Sequence, residues 1–119
     1  MTCEPWQVVV VPFPFTDRAT TRRRPALVLS AKAFNRLGYS VLAMITTASH
    51  RPWPSDTPIQ DLKTAGVKAP SLVRLKLFTL DNRFIARRIG VLASPDQTAV
   101  ATQLKSVLPA AAAKADSQR

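Results

Sequence analysis

Three consecutive arginines, Arg22-Arg23-Arg24, run into Pro25 and the apolar stretch Ala26-Leu27-Val28-Leu29-Ser30. A guanidinium is planar, permanently charged and able to bind two phosphate oxygens at once, so the run suits any polyanion. Few other residues can do chemistry. His50 is the one histidine, with a pKa suited to acid–base work near neutrality. Cys3 is the one cysteine, so no internal disulfide can form and no His/Cys metal cluster can be assembled. Asp17 is the one acid in the polar stretch ahead of Arg24, where a carboxylate can act as a base or stabilise a turn. Phe13, Phe15 and Trp53 can stack on bases, or pack beside their neighbouring prolines.

The chain that positions these groups has 119 residues, the length of one domain. A hydrophobic content of 46% is enough for a folded core, which excludes a disordered basic tail. Seventeen Lys+Arg against seven Asp+Glu give a formal charge of +10, and a field of that sign concentrates nucleic acid. No cationic segment with a following apolar run opens the chain, and no apolar run approaches the roughly 20 residues that span a bilayer. The expected location is the cytoplasm, with no membrane partner.

Gln7 to Val11 is a valine run between Pro5 and Pro12 and reads as a buried strand. Pro12-Phe13-Pro14-Phe15 forces an extended path, and Thr16 to Arg24 reads as a polar, cationic loop. Strands are expected over Ala26 to Ser30 and Tyr39 to Thr46, with a helical turn over Ala31 to Leu37 stopped by Gly38. Ala48 to Thr57 carries Pro52 and Pro54 and reads as an irregular loop; Asp61 to Ala65 can form one helical turn before Gly66. Ser71 to Leu75 and Leu77 to Leu80 read as strand kinked around Lys76, and Asp81-Asn82 as a turn. Ala86 to Leu92 reads as a last strand, on which Arg87 and Arg88 must point to opposite faces. Ser94 to Leu108 is the clearest helix, with Ser94 as cap, Pro95 in the first turn and Gln97 completing a capping box. Val100, Leu104, Val107 and Leu108 share one face of it. Short strands closed by one amphipathic helix predict a small barrel or a strongly curved sheet. The domain is expected over residues 1–109, with a flexible tail over 110–119.

Val8-Val9-Val10-Val11-Pro12-Phe13-Pro14-Phe15-Thr16-Asp17, followed by Arg23-Arg24-Pro25-Ala26-Leu27-Val28-Leu29-Ser30, resembles the MazF/PemK family of bacterial toxins. Ile45-Thr46-Thr47, Ser71-Leu72-Val73-Arg74 and Lys76-Leu77-Phe78-Thr79-Leu80-Asp81 resemble the family's later motifs. The match runs from about Pro5 to Pro95. The resemblance implies a mainly β, SH3-like curved barrel of the MazF/PemK/CcdB kind with added helices, assembled as a homodimer. It implies a toxin of a type II toxin–antitoxin system that cuts single-stranded RNA without a metal or other cofactor. The partner it implies is a cognate antitoxin whose acidic, disordered segment occupies the RNA groove. A relative of similar fold poisons DNA gyrase instead, and a non-catalytic nucleic-acid- or antitoxin-binding relative is a further alternative.

Metal-free cleavage can use the substrate's own 2′-hydroxyl as nucleophile, which leaves the protein to hold the phosphate and stabilise its charge. By resemblance Arg24 is the catalytic arginine and Thr46 the active-site threonine, with Thr47 one register place away. Arg22 and Arg23 line the RNA path from the loop, and Ser71, Arg74 and Lys76 fall in a substrate-contacting stretch. The plain alternatives are an Arg24 paired to a carboxylate and a Thr46 that serves only its strand. Many members carry Gly-Asp or Trp-Asp just before the first strand where this chain has Trp6-Gln7, and the glycine-free loop before Arg24 is short. Both differences bear on efficiency and sequence preference.

Overall fold

A computed structural model describes residues 1–13, 22–48 and 51–111. Asp17, Phe15, His50 and the end of the predicted tail, residues 112–119, lie outside the described residues. Six strands form one antiparallel sheet: β1 (Gln7–Phe13), β2 (Arg22–Val28), β3 (Tyr39–Thr47), β4 (Thr57–Pro58), β5 (Ser71–Asp81) and β6 (Arg87–Val91). Their order across the sheet is β4-β5-β3-β2-β1-β6. Two short helices, α1 (Lys32–Asn35) and α2 (Leu62–Ala65), and a longer one, α3 (Ser94–Val107), complete the chain. This is the mainly β, curled half-barrel with a C-terminal helix that the sequence predicts.

The valine run is unbroken because β1 is buried on both faces. Val8 joins Leu27, Ala43, Ile45 and Val73 in one core, which is covered by Ala65, Leu92 and Val100. Val9 and Val11 join Ala26, Val28, Leu42, Leu80 and Ile85 in a second core on the other face, closed by Cys3. Two irregularities curl the sheet. Leu42 pairs with Phe78 but Met44 with Arg74, so β5 carries extra residues around Lys76, where the sequence predicts a kink. Val8 pairs with Gly90 but Val9 with Arg88, a second bulge on the β1–β6 edge.

Gly66 ends α2 with φ +80, and a Cβ there would lie 2.0 Å from the Ile89 carbonyl oxygen. A Cβ on Gly90 would lie 2.4 Å from the Ala65 carbonyl carbon. The end of α2 therefore packs backbone to backbone on β6. A buried amide network fixes the opposite side. Asn35 donates to the carbonyls of Cys3 and Ser30, Asn82 donates to the Asn35 carbonyl, and Ser40 donates to the Asn82 side chain.

The start of α3 differs from the expected capping box. Its N-cap is Ala93, with no side-chain cap bond, and Ser94 is already helical. Gln97 instead donates to the Leu92 carbonyl at 2.7 Å, and Asp96, buried in the first turn, accepts the backbone N–H groups of Gln60 and Asp61. The helix is thus anchored by tertiary bonds that satisfy the chain leading into α2. Val100 is buried as expected, whereas Val107 and Leu108 stay exposed.

Candidate functional site

The arginine run is part of the sheet, not of a loop: Arg22, Arg23 and Arg24 pair with Phe13, Pro12 and Val11 of β1. The expected loop over Thr16 to Arg24 is therefore corrected at its end, where Arg22 to Arg24 are strand. β1 continues through Pro12 and gives all three a partner strand, so their alternation across the sheet separates them. Arg24 shares a face with Ala26, Val9 and Val11, while Arg23 points to the helix-bearing face.

β2 and β3 pair from Val28–Leu42 to Ala26–Met44 and then part, whereas β3 and β5 stay paired as far as Thr47–Ser71. Carried two places further, the β2–β3 register sets Arg24 across from Thr46. The two line one cleft of about 190 Å³ with Phe13, Met44, Arg74 and Lys76. The Arg24 guanidinium carbon lies 6.0 Å from the centre of the Phe13 ring. Its Nε is buried without a hydrogen-bond partner, and Arg24 forms none of the described ion pairs. A buried, unsatisfied donor on a charged group is costly, which sets Arg24 apart from the paired Arg74. Among the described residues, the alternative of a carboxylate partner does not hold.

Arg74 is committed within the protein. Its Nε and Nη2 donate to both oxygens of Asp56 at 3.1 and 2.9 Å, and Nη2 also donates to the Arg51 carbonyl at 2.7 Å. Burial tends to raise the Asp56 carboxyl, but the Arg74 hydrogen bond, aided by the Trp53 backbone N–H and the Arg74 charge, holds it below the usual carboxylate range. The bond to Asp56 raises Arg74 in return, against a smaller effect of burial. Arg74 thus fixes the segment over residues 51–56 beside the cleft. Trp53 of that segment lies against Lys76, whose ammonium is 4.4 Å from the ring centre.

The remaining predicted residues divide between faces. Thr47 is exposed and alternates away from Thr46. Ser71 is buried, donates to the Ala69 carbonyl at 2.8 Å, and lines a second groove with Arg23 on the helix-bearing face. Arg22 is exposed at the start of β2. Arg87 joins the second groove, while Arg88 lies near Cys3, where its charge works against the rise that burial imposes on the thiol. Gln7 accepts the Glu4 backbone N–H. It stands four residues along β1 from the partner of Arg24, roughly 13 Å by strand rise, so the missing acid does not belong to this cleft. Sequence reasoning missed Asp56: it lies 18 positions from Arg74, and no spacing rule links a loop acid to a strand arginine.

Among the described residues no group of three or more His, Cys, Asp or Glu is gathered as metal ligands, and no helix is long and apolar enough to cross a membrane.

The described residues thus form a curved antiparallel sheet with Arg24 and Thr46 lining a cleft at one end, and comparison identifies the family. The sequence profile of PemK-like, MazF-like toxins of type II toxin-antitoxin systems matches residues 4–108. The chain belongs to that family. Among solved structures it is similar to MazF in a MazE–MazF complex from Deinococcus radiodurans, with a TM-score of 0.73 and 22% identity over 92% of this chain and 98% of that one. It is also similar to an endoribonuclease in complex with its cognate antitoxin from a mycobacterial species, with a TM-score of 0.69 and 16% identity over 91% and 94% of the two chains. The Mycobacterium tuberculosis toxin MazF-mt6 superposes with a TM-score of 0.69 at 21% identity, over 87% and 96%. No curated protein sequence matches the chain.

Proposed function

We propose that this toxin is an endoribonuclease that cuts single-stranded RNA by attack of the substrate's 2′-hydroxyl on the adjacent phosphorus, with Arg24 and Thr46 as its catalytic residues. The observation that carries the reading is Arg24 itself, a guanidinium in a cleft with a buried, unpartnered Nε and no carboxylate beside it among the described residues. Arg24 lines the cleft, and its charge is one that an anion entering there can meet. Bound to a non-bridging oxygen, it stabilises the charge that grows as the phosphorus becomes five-coordinate, and being charged throughout it is a poor proton donor. Thr46, across the cleft, can donate its hydroxyl to a second oxygen and so orient the phosphate for in-line attack. Lys76 adds positive charge at the cleft wall, and its Trp53 partner offers a ring on which a neighbouring base can stack. Arg22 and Arg23 contact flanking phosphates. The reaction asks for no metal or cofactor.

The partner of the silent state is a cognate antitoxin, as in the complexes of the similar toxins, with an acidic segment that neutralises the same cleft. A second copy of the chain makes the working unit a homodimer.

The test is a digest of a defined single-stranded RNA in EDTA with end mapping. Wild-type protein should leave 2′,3′-cyclic phosphate ends, and Arg24→Ala should lose about 10²-fold or more in rate while keeping its melting temperature. Thr46→Val should lose activity with its fold intact. Undiminished cleavage by Arg24→Ala would overturn the assignment. An intact RNA in all arms would favour the binding-only relative or the gyrase-directed toxin.

A further inference from the structure

Arg23, Lys68 and Arg87 come from three separate parts of the chain and line one groove of about 400 Å³ on the helix-bearing face of the sheet. Arg23 and Arg87 flank β1 from either side, since Pro12 pairs with Arg23 and Val10 with Arg87. Lys68 follows Gly66, whose backbone is locked against Ile89, so the wall that carries it is fixed. All three are exposed and none forms a described ion pair. The described acids are engaged elsewhere: Asp56 with Arg74, Asp61 with Thr64, Asp81 with Arg83, Asp96 with backbone N–H groups, and Glu4 beside Lys32. Three like charges converging on a concave surface repel one another unless an anion lies between them.

The groove adjoins the Arg24 cleft. Arg24 lines both, and they flank the opening where β2 and β3 part while β5 continues beside β3. We infer that this groove is a second phosphate-binding site, holding backbone phosphates of the same RNA strand whose scissile phosphate lies at Arg24. The inference rests on the endoribonuclease reading for the identity of that strand. Continuity with the cleft favours RNA over an acidic protein segment, because one flexible chain of evenly spaced charges can occupy both places. Contacts of this kind carry no base preference, so the groove adds affinity and direction without adding to the cleavage motif.

Binding is measured in an Arg24→Ala parent, so that RNA is not consumed, with Lys68→Gln and Arg87→Gln added together and a salt series run for each protein. For an RNA oligomer long enough to leave the cleft, the slope of log affinity against log salt should fall by about 1.4, roughly 0.7 for each lost phosphate contact to a single strand. A dinucleoside monophosphate, whose single phosphate occupies the cleft, should bind both proteins alike. With Arg24 restored, the same pair of substitutions should lower kcat/KM for the long oligomer several-fold and leave the dinucleoside monophosphate unaffected. An unchanged slope for the long oligomer overturns the inference, and does so equally if an acidic antitoxin peptide binds the variant more weakly. Wild-type protein that binds RNA but never cuts it would instead sink the endoribonuclease reading and leave the groove standing. A parent that binds no RNA at low salt would sink both.

Discussion

At the scale of single residues, the site is defined by which charges are satisfied and which are not. Arg74 and Arg24 face the same cleft, yet Arg74 holds a carboxylate in two hydrogen bonds and Arg24 has a buried nitrogen with no partner. The first is a structural clamp on residues 51–56 and the second is the group proposed above to meet the substrate. Asp56 therefore governs the clamp through its ionisation. Its folded pKa lies below the unfolded value of about 3.9, so between those values the unfolded chain binds more protons and stability rises with pH. The contribution is complete above about pH 5 and is lost as pH falls through the folded pKa. Asp56→Asn should cost about 1–3 kcal/mol at neutral pH. It should also flatten the acid limb of a plot of melting temperature against pH, relative to wild type. An acid limb of unchanged steepness in Asp56→Asn would show that the clamp does not couple to folding.

At the scale of elements, the shape of the second groove depends on one close contact, the end of α2 against β6. Gly66→Ala places a methyl in a left-handed backbone and drives it to within 2.0 Å of the Ile89 oxygen. About 3 kcal/mol or more of destabilisation is expected, read as a lower denaturant midpoint. Gly38→Ala is the control, because its φ is also positive, at +114, but no atom lies within 4 Å of the added carbon. A Gly66→Ala loss no larger than that of Gly38→Ala would mean the backbone packing is slack. Much of this level was legible beforehand. The valine run, the Gly66 stop after α2 and the kink at Lys76 each follow from local rules of burial, left-handed caps and interrupted alternation. What was not legible depends on partners far along the chain. Arg22 and Arg23 read as loop because nothing in three cations announces a strand; only pairing with Phe13 and Pro12 makes them one. Likewise Ser94 has the right side chain for a cap, but the N-cap is Ala93, and Asp96 in the first turn accepts the distant backbone N–H groups of Gln60 and Asp61. Arg24 and Thr46 could be matched to motifs, yet their meeting across a parted pair of strands is a property of register.

At the scale of the whole molecule, polar and apolar surfaces are set apart. The cations of the cleft and second groove gather where β2 begins, whereas α3 and the far ends of β2 and β3 leave an apolar groove of about 640 Å³ lined by Leu29, Val41, Leu77, Leu104 and Leu108. Leu108 is 40% exposed and Val107 43%, at the end of a helix whose Val100 is buried in the core. A surface of this kind is what a second copy of the chain would cover, since two apolar grooves bury each other while two cationic ends repel. The proposed homodimer is expected to use it. Light scattering at micromolar concentration should give twice the chain mass for wild-type protein, and its melting temperature should rise with concentration, because association stabilises only the folded state. Leu108→Arg puts a charge on the groove rim without touching the buried core, so it should yield a folded monomer whose melting temperature no longer depends on concentration. Cleavage by that monomer should weaken if the partner copy helps to frame the RNA and persist if each cleft works alone. A wild-type chain that scatters as a monomer at every concentration tested would exclude this interface, and a Leu108→Arg chain that remains a dimer would move it to another face.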